Sequence, residues 1–237
     1  YHNLFNRKKV NTLNETYATN QICVLKTDRK LVAFYDKLRF APPSSYAQIH
    51  ANGEYSENNR KVRSLIGLHV LDYSNGTGQN QTVTTKANIT PDEAEFILFR
   101  LMAGFPEFEF RQDKIFGLKD QEGYSQVTKL RIVRATRDYQ GNPLRIPWRI
   151  EIENGRGIAV QNATGGTYMQ KNSFQPRVKA SINVTDLDMF KLLNRVVRYV
   201  HLWESAVAPS LIQNGKQLLQ NAQQQRQIQN NSGNFAA

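Results

Sequence analysis

Six cations crowd residues 127–149: Lys129, Arg131, Arg134, Arg137, Arg145 and Arg149, against the single acid Asp138. Tyr139 and Trp148 are interleaved with them. A β-surface of this make-up suits phosphate neutralisation and base stacking. Side chains alternate along a strand, so Lys129 and Arg131 share one face and Arg134 takes the other. Lys129, Arg131 and Arg149 form the best set, with Arg145 on the face of Arg149. Arg60, Lys61, Arg63, Lys86, Arg177 and Lys179 add positive charge elsewhere. The candidate contacts are therefore Lys129, Arg131, Arg149, Arg145, Arg63, Lys86, Lys179, Arg177 and the ring of Tyr139. The opposing reading is a solvated sheet face, which any sheet covered on one side must carry. Trp148 shares its face with Ile146 and Ile150 and reads as core.

Other chemistry finds little support. There is no P-loop, no GxGxxG and no GxSxG pattern. Cys23 opens an apolar strand and reads as a buried, inert thiol. As the only cysteine it also excludes an internal disulfide. His2, His50, His69 and His201 lack metal-site spacing. Asp92, Glu93 and Glu95 are explained by helix capping and the helix dipole. The expectation is a protein that is not an enzyme, with no catalytic residues, no metal and no cofactor.

The whole chain repeats the message of its basic strands. Over 237 residues, 31 Lys+Arg against 20 Asp+Glu leave a net charge of +11. Such a surface suits a polyanion, meaning nucleic acid or an anionic membrane. No apolar stretch approaches the ~20 residues of a membrane span, and no basic amphipathic segment supports membrane binding. The expected setting is intracellular: cytoplasm, nucleoid or organelle matrix, with a removed targeting segment left open.

Strands must position these groups. Residues 22–27 and 30–35 flank Asp28-Arg29 as a hairpin, and 46–51 form a short strand. Residues 63–73 are apolar and end at the turn Ser74-Asn75-Gly76. Residues 82–89 alternate, with Val83, Thr85, Ala87 and Ile89 on one face. Thr90, Pro91 and Glu93 then form a capping box with proline at the first helical position. The helix runs to Gly104 and is apolar nearly all round, so it should be covered on more than one side. A second set of strands covers 108–116, 127–137 and 144–153. Asn154-Gly155 reads as a hairpin turn leading to a return strand at 157–161. Residues 177–184 alternate again. A second helix, capped by Thr185, spans about 186–204, with Phe190, Leu193, Val197 and Val200 as its apolar stripe. Residues 213–234 are mostly Gln and Asn and read as disordered alone, or helical only against a partner.

Two segments match each other. Lys86-Ala87-Asn88-Ile89 and Lys179-Ala180-Ser181-Ile182 are each followed by a capping Thr, first-turn acids and a Phe. Each closes a run of about four strands, which gives (ββββα) twice. On this element order, the charge and the Lys-Ala-polar-Ile echo, the chain resembles the Whirly single-stranded DNA-binding proteins and their guide-RNA-binding relatives, with a similar unit in PUR-repeat proteins. The Whirly Lys-Gly-Lys-Ala strand motif is matched only by Lys86-Ala87 and Lys179-Ala180. The resemblance covers about residues 22–204. It implies single-stranded nucleic-acid binding on sheet surfaces and oligomers formed through the helices.

The expected fold class is therefore α+β: two ββββα units with antiparallel sheets and one helix each. The expected organisation is a basic polar arm at 1–21, a first unit at 22–104, a second at 105–205 and a Gln/Asn-rich tail at 206–237. The expected function is binding of single-stranded nucleic acid, DNA ahead of RNA, with weak sequence preference, by a homo-oligomer. The alternative is a non-enzymatic structural or assembly protein of a phage or mobile element.

Overall fold

The computed structural model describes residues 20–39, 54–57, 60–77 and 81–233. The expected strand at 46–51 and nearly all of the basic arm lie outside them. Strands β1 (Gln21–Lys26) and β2 (Lys30–Lys37) form the expected hairpin. Its turn needs no glycine, because Thr27 Oγ1 accepts from Lys30 N at 3.0 Å. After a small hairpin of β3 (Glu54–Glu57) and β4 (Arg60–Arg63) come β5 (Leu65–Asp72) and β6 (Val83–Ile89). The four longer strands form one antiparallel sheet in the order β1-β2-β5-β6.

Helix α1 (Pro91–Met102) follows at once, with the capping box read from Thr90 and Glu93 fully formed. It is covered on one side rather than nearly all round. Ala94, Ile97 and Leu98 are buried, whereas Phe96, Phe99 and Met102 are exposed.

The second unit repeats the order. Strands β7 (Glu107–Phe116), β8 (Ser125–Ala135) and β9 (Trp148–Gly157) form a meander. A small hairpin, β10 (Ala159–Gln161) with β11 (Thr167–Met169), intervenes before β12 (Gln175–Val184) completes the second sheet, ordered β7-β8-β9-β12. Helix α2 (Asp186–Gly233) follows, again capped by a threonine, Thr185, whose Oγ1 accepts from Asp188 N at 3.1 Å.

Three expectations are corrected here. Asn154-Gly155 is not a turn: both residues lie inside β9, paired across to β12. Glycine is needed for space, since a Cβ at Gly155 would sit 2.2 Å from the Gln175 carbonyl oxygen. Residues 159–161 accordingly pair with β11 and not with β9. The strand expected from 144 begins only at Trp148, which leaves Arg145 in the β8–β9 loop. The second helix does not stop near 204 but runs through Pro209 to Gly233. Its continuation is rich in Gln, with Ala and Leu among them, all good helix formers.

Both inner faces feed one core. Val32, Phe34, Ile66, Leu68 and Ile89 of the first sheet meet Leu130, Ile132, Trp148, Ile150 and Ile182 of the second. Met189, Leu193, Val196 and Val200 of α2 complete it. The two units are thus topologically separate but share a single hydrophobic cluster. Trp148 is fully buried in it, and its Nε1 donates to Asp186 Oδ1 at 2.7 Å. Arg134 grips the same carboxylate with two bonds of 2.9 Å and also donates to the Phe105 carbonyl.

Candidate nucleic-acid interface

The strand register decides which cations share a surface. On the outer face of the second sheet, β7, β8 and β9 align as rows: Glu109-Val133-Arg149, Arg111-Arg131-Glu151 and Asp113-Lys129-Glu153. Strand β12 adds Lys179 beside Glu153. Lys129, Arg131 and Arg149 are therefore brought together, as the alternation implies, and the register adds Lys179. They are also neutralised together. Arg131 pairs with Glu109 at 2.6 Å, while Arg149 and Lys179 both hold Glu151, at 2.7 and 2.8 Å. The Arg131 hydrogen bond holds the Glu109 carboxyl below its usual range. Burial works against ionisation of Glu151, but the bonds from Lys179 and Arg149 still hold its pKa down. Lys129 lies 3.9 Å above the Phe174 ring. Five cations on this face meet four carboxylates, Glu109, Asp113, Glu151 and Glu153.

Arg134 points inward, as its parity requires, and its place is structural. Arg145 and Tyr139 sit on the β8–β9 loop, which Asp138 organises by accepting from the Gln140 and Asn142 amides at 2.8 Å each. Tyr139 is 95% exposed at its tip. This loop leaves the opposite end of the sheet from Thr128 and Asn154, roughly 20 Å away along the strands.

The outer face of the first sheet differs. Its outward positions are Val24 and Lys26; Leu31, Ala33, Tyr35 and Lys37; Gly67, His69 and Leu71; and Thr84, Lys86 and Asn88. None is an acid. Asp36 and Asp72 have the other parity; Asp36 accepts from Tyr199 Oη at 2.6 Å and Asp72 pairs with Lys30 at 3.0 Å. Tyr35 and His69 lie ring to ring at a 36° tilt, with ring centres 4.3 Å apart. Gly67 makes room for this layer, since a Cβ there would stand 3.0 Å from Lys37 Cε and 3.3 Å from Tyr35 Cβ.

Cations converge on Asn88. Lys37 Nζ donates to its Oδ1 at 2.8 Å, and Lys114 Nζ, from β7, donates to its carbonyl at 3.0 Å. Burial lowers the Lys37 pKa, and the charges of Lys86 and Arg39 lower it further. Burial likewise lowers that of Lys114; Glu93 opposes the shift and Arg63 adds to it. His69 is pushed down to about 4 by burial and by Lys86 and Lys37. Lys37 thus repels Lys86 and Arg39, and Lys114 repels Arg63, a state that a bound polyanion would relieve.

Lys86 also faces a groove of about 700 Å³ between β6 and the overhanging end of the second sheet. Arg177, Asn88, Gln126, Thr128 and the half-exposed ring of Phe116 line it too. Its floor is fixed by Asn154, whose side-chain Oδ1 accepts from Lys86 N and whose Nδ2 donates to Lys86 O, both at 2.8 Å. Of the sequence-derived candidates, Lys86 and Arg177 thus meet in this groove, with Arg63 near Lys114. Sequence reasoning missed Lys37, Lys114, Tyr35 and His69. The signal available was parity: Tyr35 and Lys37 fall on one face of β2, and no acid falls there with them.

Cys23 is partly buried, donates to the Leu192 carbonyl at 3.6 Å, and burial pushes its pKa up to about 11. It stays a thiol at neutral pH. Among the described residues no group of His, Cys, Asp and Glu is placed to hold a metal ion, and no helix is long and apolar enough to cross a membrane.

The chain is an α+β protein of two four-stranded antiparallel sheets, each followed by a helix, the order that the Whirly resemblance implies. Among solved structures it is similar to a plant transcriptional regulator, PBF-2, at 12% identity, with 78% of this chain and 84% of that chain covered and a TM-score of 0.37. A likeness this loose carries no functional argument. No protein-family model and no curated protein matches the chain.

Proposed function

We propose that this protein binds single-stranded nucleic acid, DNA ahead of RNA, across the outer face of the first sheet and into the groove beside β6. The observation that carries the reading is the convergence of Lys37, Lys86 and, from β7, Lys114 around Asn88, beside a first-sheet face whose described outward positions include no carboxylate. Lys37, Lys86 and Arg177 would neutralise phosphates, and the Tyr35–His69 pair and Phe116 would offer ring surfaces to bases. Nothing on this face reads base edges in a fixed pattern, so sequence preference should be weak. No catalytic step belongs to this reading.

The test is the salt dependence of binding to an oligothymidylate of about twenty nucleotides. Affinity should fall linearly on a log–log plot, with a slope of roughly −0.7 per neutralised phosphate. The variant K37Q/K86Q/R177Q should bind all sequences more weakly and flatten the slope by about two. An unchanged slope and affinity, or no binding by the wild type at low salt, would overturn the reading.

One observation favours the alternative of an assembly protein. Phe96, Phe99 and Met102 of α1 are exposed together, and Leu218, Leu219 and Ile228 are exposed on the far part of α2. Apolar surface of this kind would suit contact with another chain, and a homo-oligomer is the simplest such assembly.

A further inference from the structure

Helix α2 carries a second basic surface that plays no part in the proposed strand path. Lys191, Arg195 and Arg198 follow one another at i, i+4 and i+7, an exposed stripe on the side away from the core. Like charges at these spacings destabilise a helix. Lys191 has Asp188 at 3.9 Å, but among the described residues Arg195 and Arg198 have no carboxylate within ion-pair distance. The stripe borders a groove of about 400 Å³ that Phe190, Tyr199 and Leu202 also line. Phe190 is 38% and Leu202 68% exposed, and the Tyr199 ring is anchored through its hydroxyl to Asp36 Oδ2 at 2.6 Å.

The groove therefore combines three cations with apolar contacts at both ends. We infer that this groove is a docking site for an acidic segment of another protein whose carboxylates meet Arg195 and Arg198 and whose apolar side chains seat against Phe190 and Leu202. Charge complementarity selects this occupant. Arginine forks pair bidentately with carboxylates, and uncompensated arginines beside exposed apolar side chains fit an acidic segment that carries apolar anchors. The exposed Leu202 offers a methyl surface, which suits an aliphatic or aromatic anchor better than a base plane. The inference is independent of the nucleic-acid reading, because the first sheet's outer face points away from the core that α2 packs into.

The experiment uses the full chain and a fluorescein-labelled nonapeptide of Asp and Glu with a Phe and a Leu four residues apart, read by anisotropy. The wild type should bind it, and R195E/R198E should weaken binding by at least about tenfold. Replacing the peptide's Phe and Leu by Ala should weaken it as well, as should L202A on the protein. Oligothymidylate binding and the sedimentation mass should be the same for R195E/R198E as for the wild type. Equal peptide binding by wild type and R195E/R198E, or none at low salt, overturns the inference. So does loss of oligothymidylate binding in R195E/R198E, which would assign the stripe to nucleic acid. A fall in sedimentation mass in that variant would assign it to a second copy of this chain. Both arginines are exposed, so the fold should survive their reversal, as circular dichroism will check.

Discussion

The outer faces of the two sheets both carry cations, but on the second the acids nearly balance them and on the first the outward positions include no acid. On the second sheet, Arg131, Arg149 and Lys179 each hold a carboxylate within 2.8 Å, and Lys129 lies over an aromatic ring. On the first, among the described residues, neither Lys37 nor Lys86 has a carboxylate within ion-pair distance; Lys37 holds Asn88, each charge presses on the other, and burial depresses the Lys37 ammonium. A surface cation already bound to a carboxylate releases little on meeting a phosphate, because the ion pair must break first. A cation among other cations relieves repulsion when a phosphate arrives. Charge density in the sequence therefore does not by itself separate a cation already held by a carboxylate from one without such a partner. What distinguishes the two faces is which register rows the acids fall on.

The largest expected effect sharpens this contrast from within one strand. Arg134 is the β8 cation that turns inward, its side chain only 11% exposed, and with Trp148 it shares the Asp186 carboxylate. Asp186→Ala strands an arginine and an indole N–H together. It should cost about 2–4 kcal/mol in urea unfolding, whereas Arg131→Gln on the exposed outer face should leave the stability nearly unchanged. Equal losses would mean that pairing does not separate structural from surface cations here.

The next test tries to convert one face into the other. E109Q/E151Q removes the acids that hold Arg131, Arg149 and Lys179. Oligothymidylate affinity should rise by roughly tenfold at low salt and the salt slope should steepen by about two. No gain would show that the second face lacks the shape for a strand, whatever its charge.

A smaller effect is expected from the reverse change. R131Q/R149Q/K179Q should alter oligothymidylate affinity by less than about twofold. A loss as large as that of K37Q/K86Q/R177Q would erase the distinction between the faces.

The smallest effect concerns protons. His69 titrates near 4 in the folded protein against about 6.5 unfolded. The unfolded chain then takes up a proton that the folded one refuses. The stability contributed by neutral His69 is complete above about pH 6.5, falls as pH drops toward 4 and levels off below. The melting temperature of the wild type relative to His69→Gln should drop by roughly a few degrees between pH 7 and 4.5. A flat difference would mean that burial, Lys86 and Lys37 do not disfavour the charged imidazole.

The local signals were legible in the chain and the long-range ones were not. Thr90, Pro91 and Glu93 specify a helix start through contacts three residues apart, and the capping box forms as read. The alternation at 82–89 and 177–184 likewise declares which face is buried. Asn154-Gly155 misleads because its turn chemistry is local, whereas its role is set by Gln175, twenty residues on, whose carbonyl crowds the glycine. The acids that neutralise the basic strand also come from elsewhere: Glu109 faces Arg131 only once β7 and β8 are in register. For the same reason Lys37, His69 and Lys86 form a group only after β2, β5 and β6 are paired. The far part of α2 was misread by composition, since Gln-rich segments that bury little still favour helical backbone when a folded helix leads into them.

The Asn154 side chain has one more consequence. Strand β6 is the last of its sheet, so its outer backbone groups would invite a further strand from another molecule. At Lys86 that invitation is withdrawn, because the Asn154 amide already takes both the N–H and the C=O, as a neighbouring strand would. An incoming chain cannot zip along β6 without first displacing it. The residue that aims the central lysine thus also acts as a stopper against edge-to-edge aggregation, and fibril growth from β6 would have to begin by breaking an interaction with the protein's own second sheet.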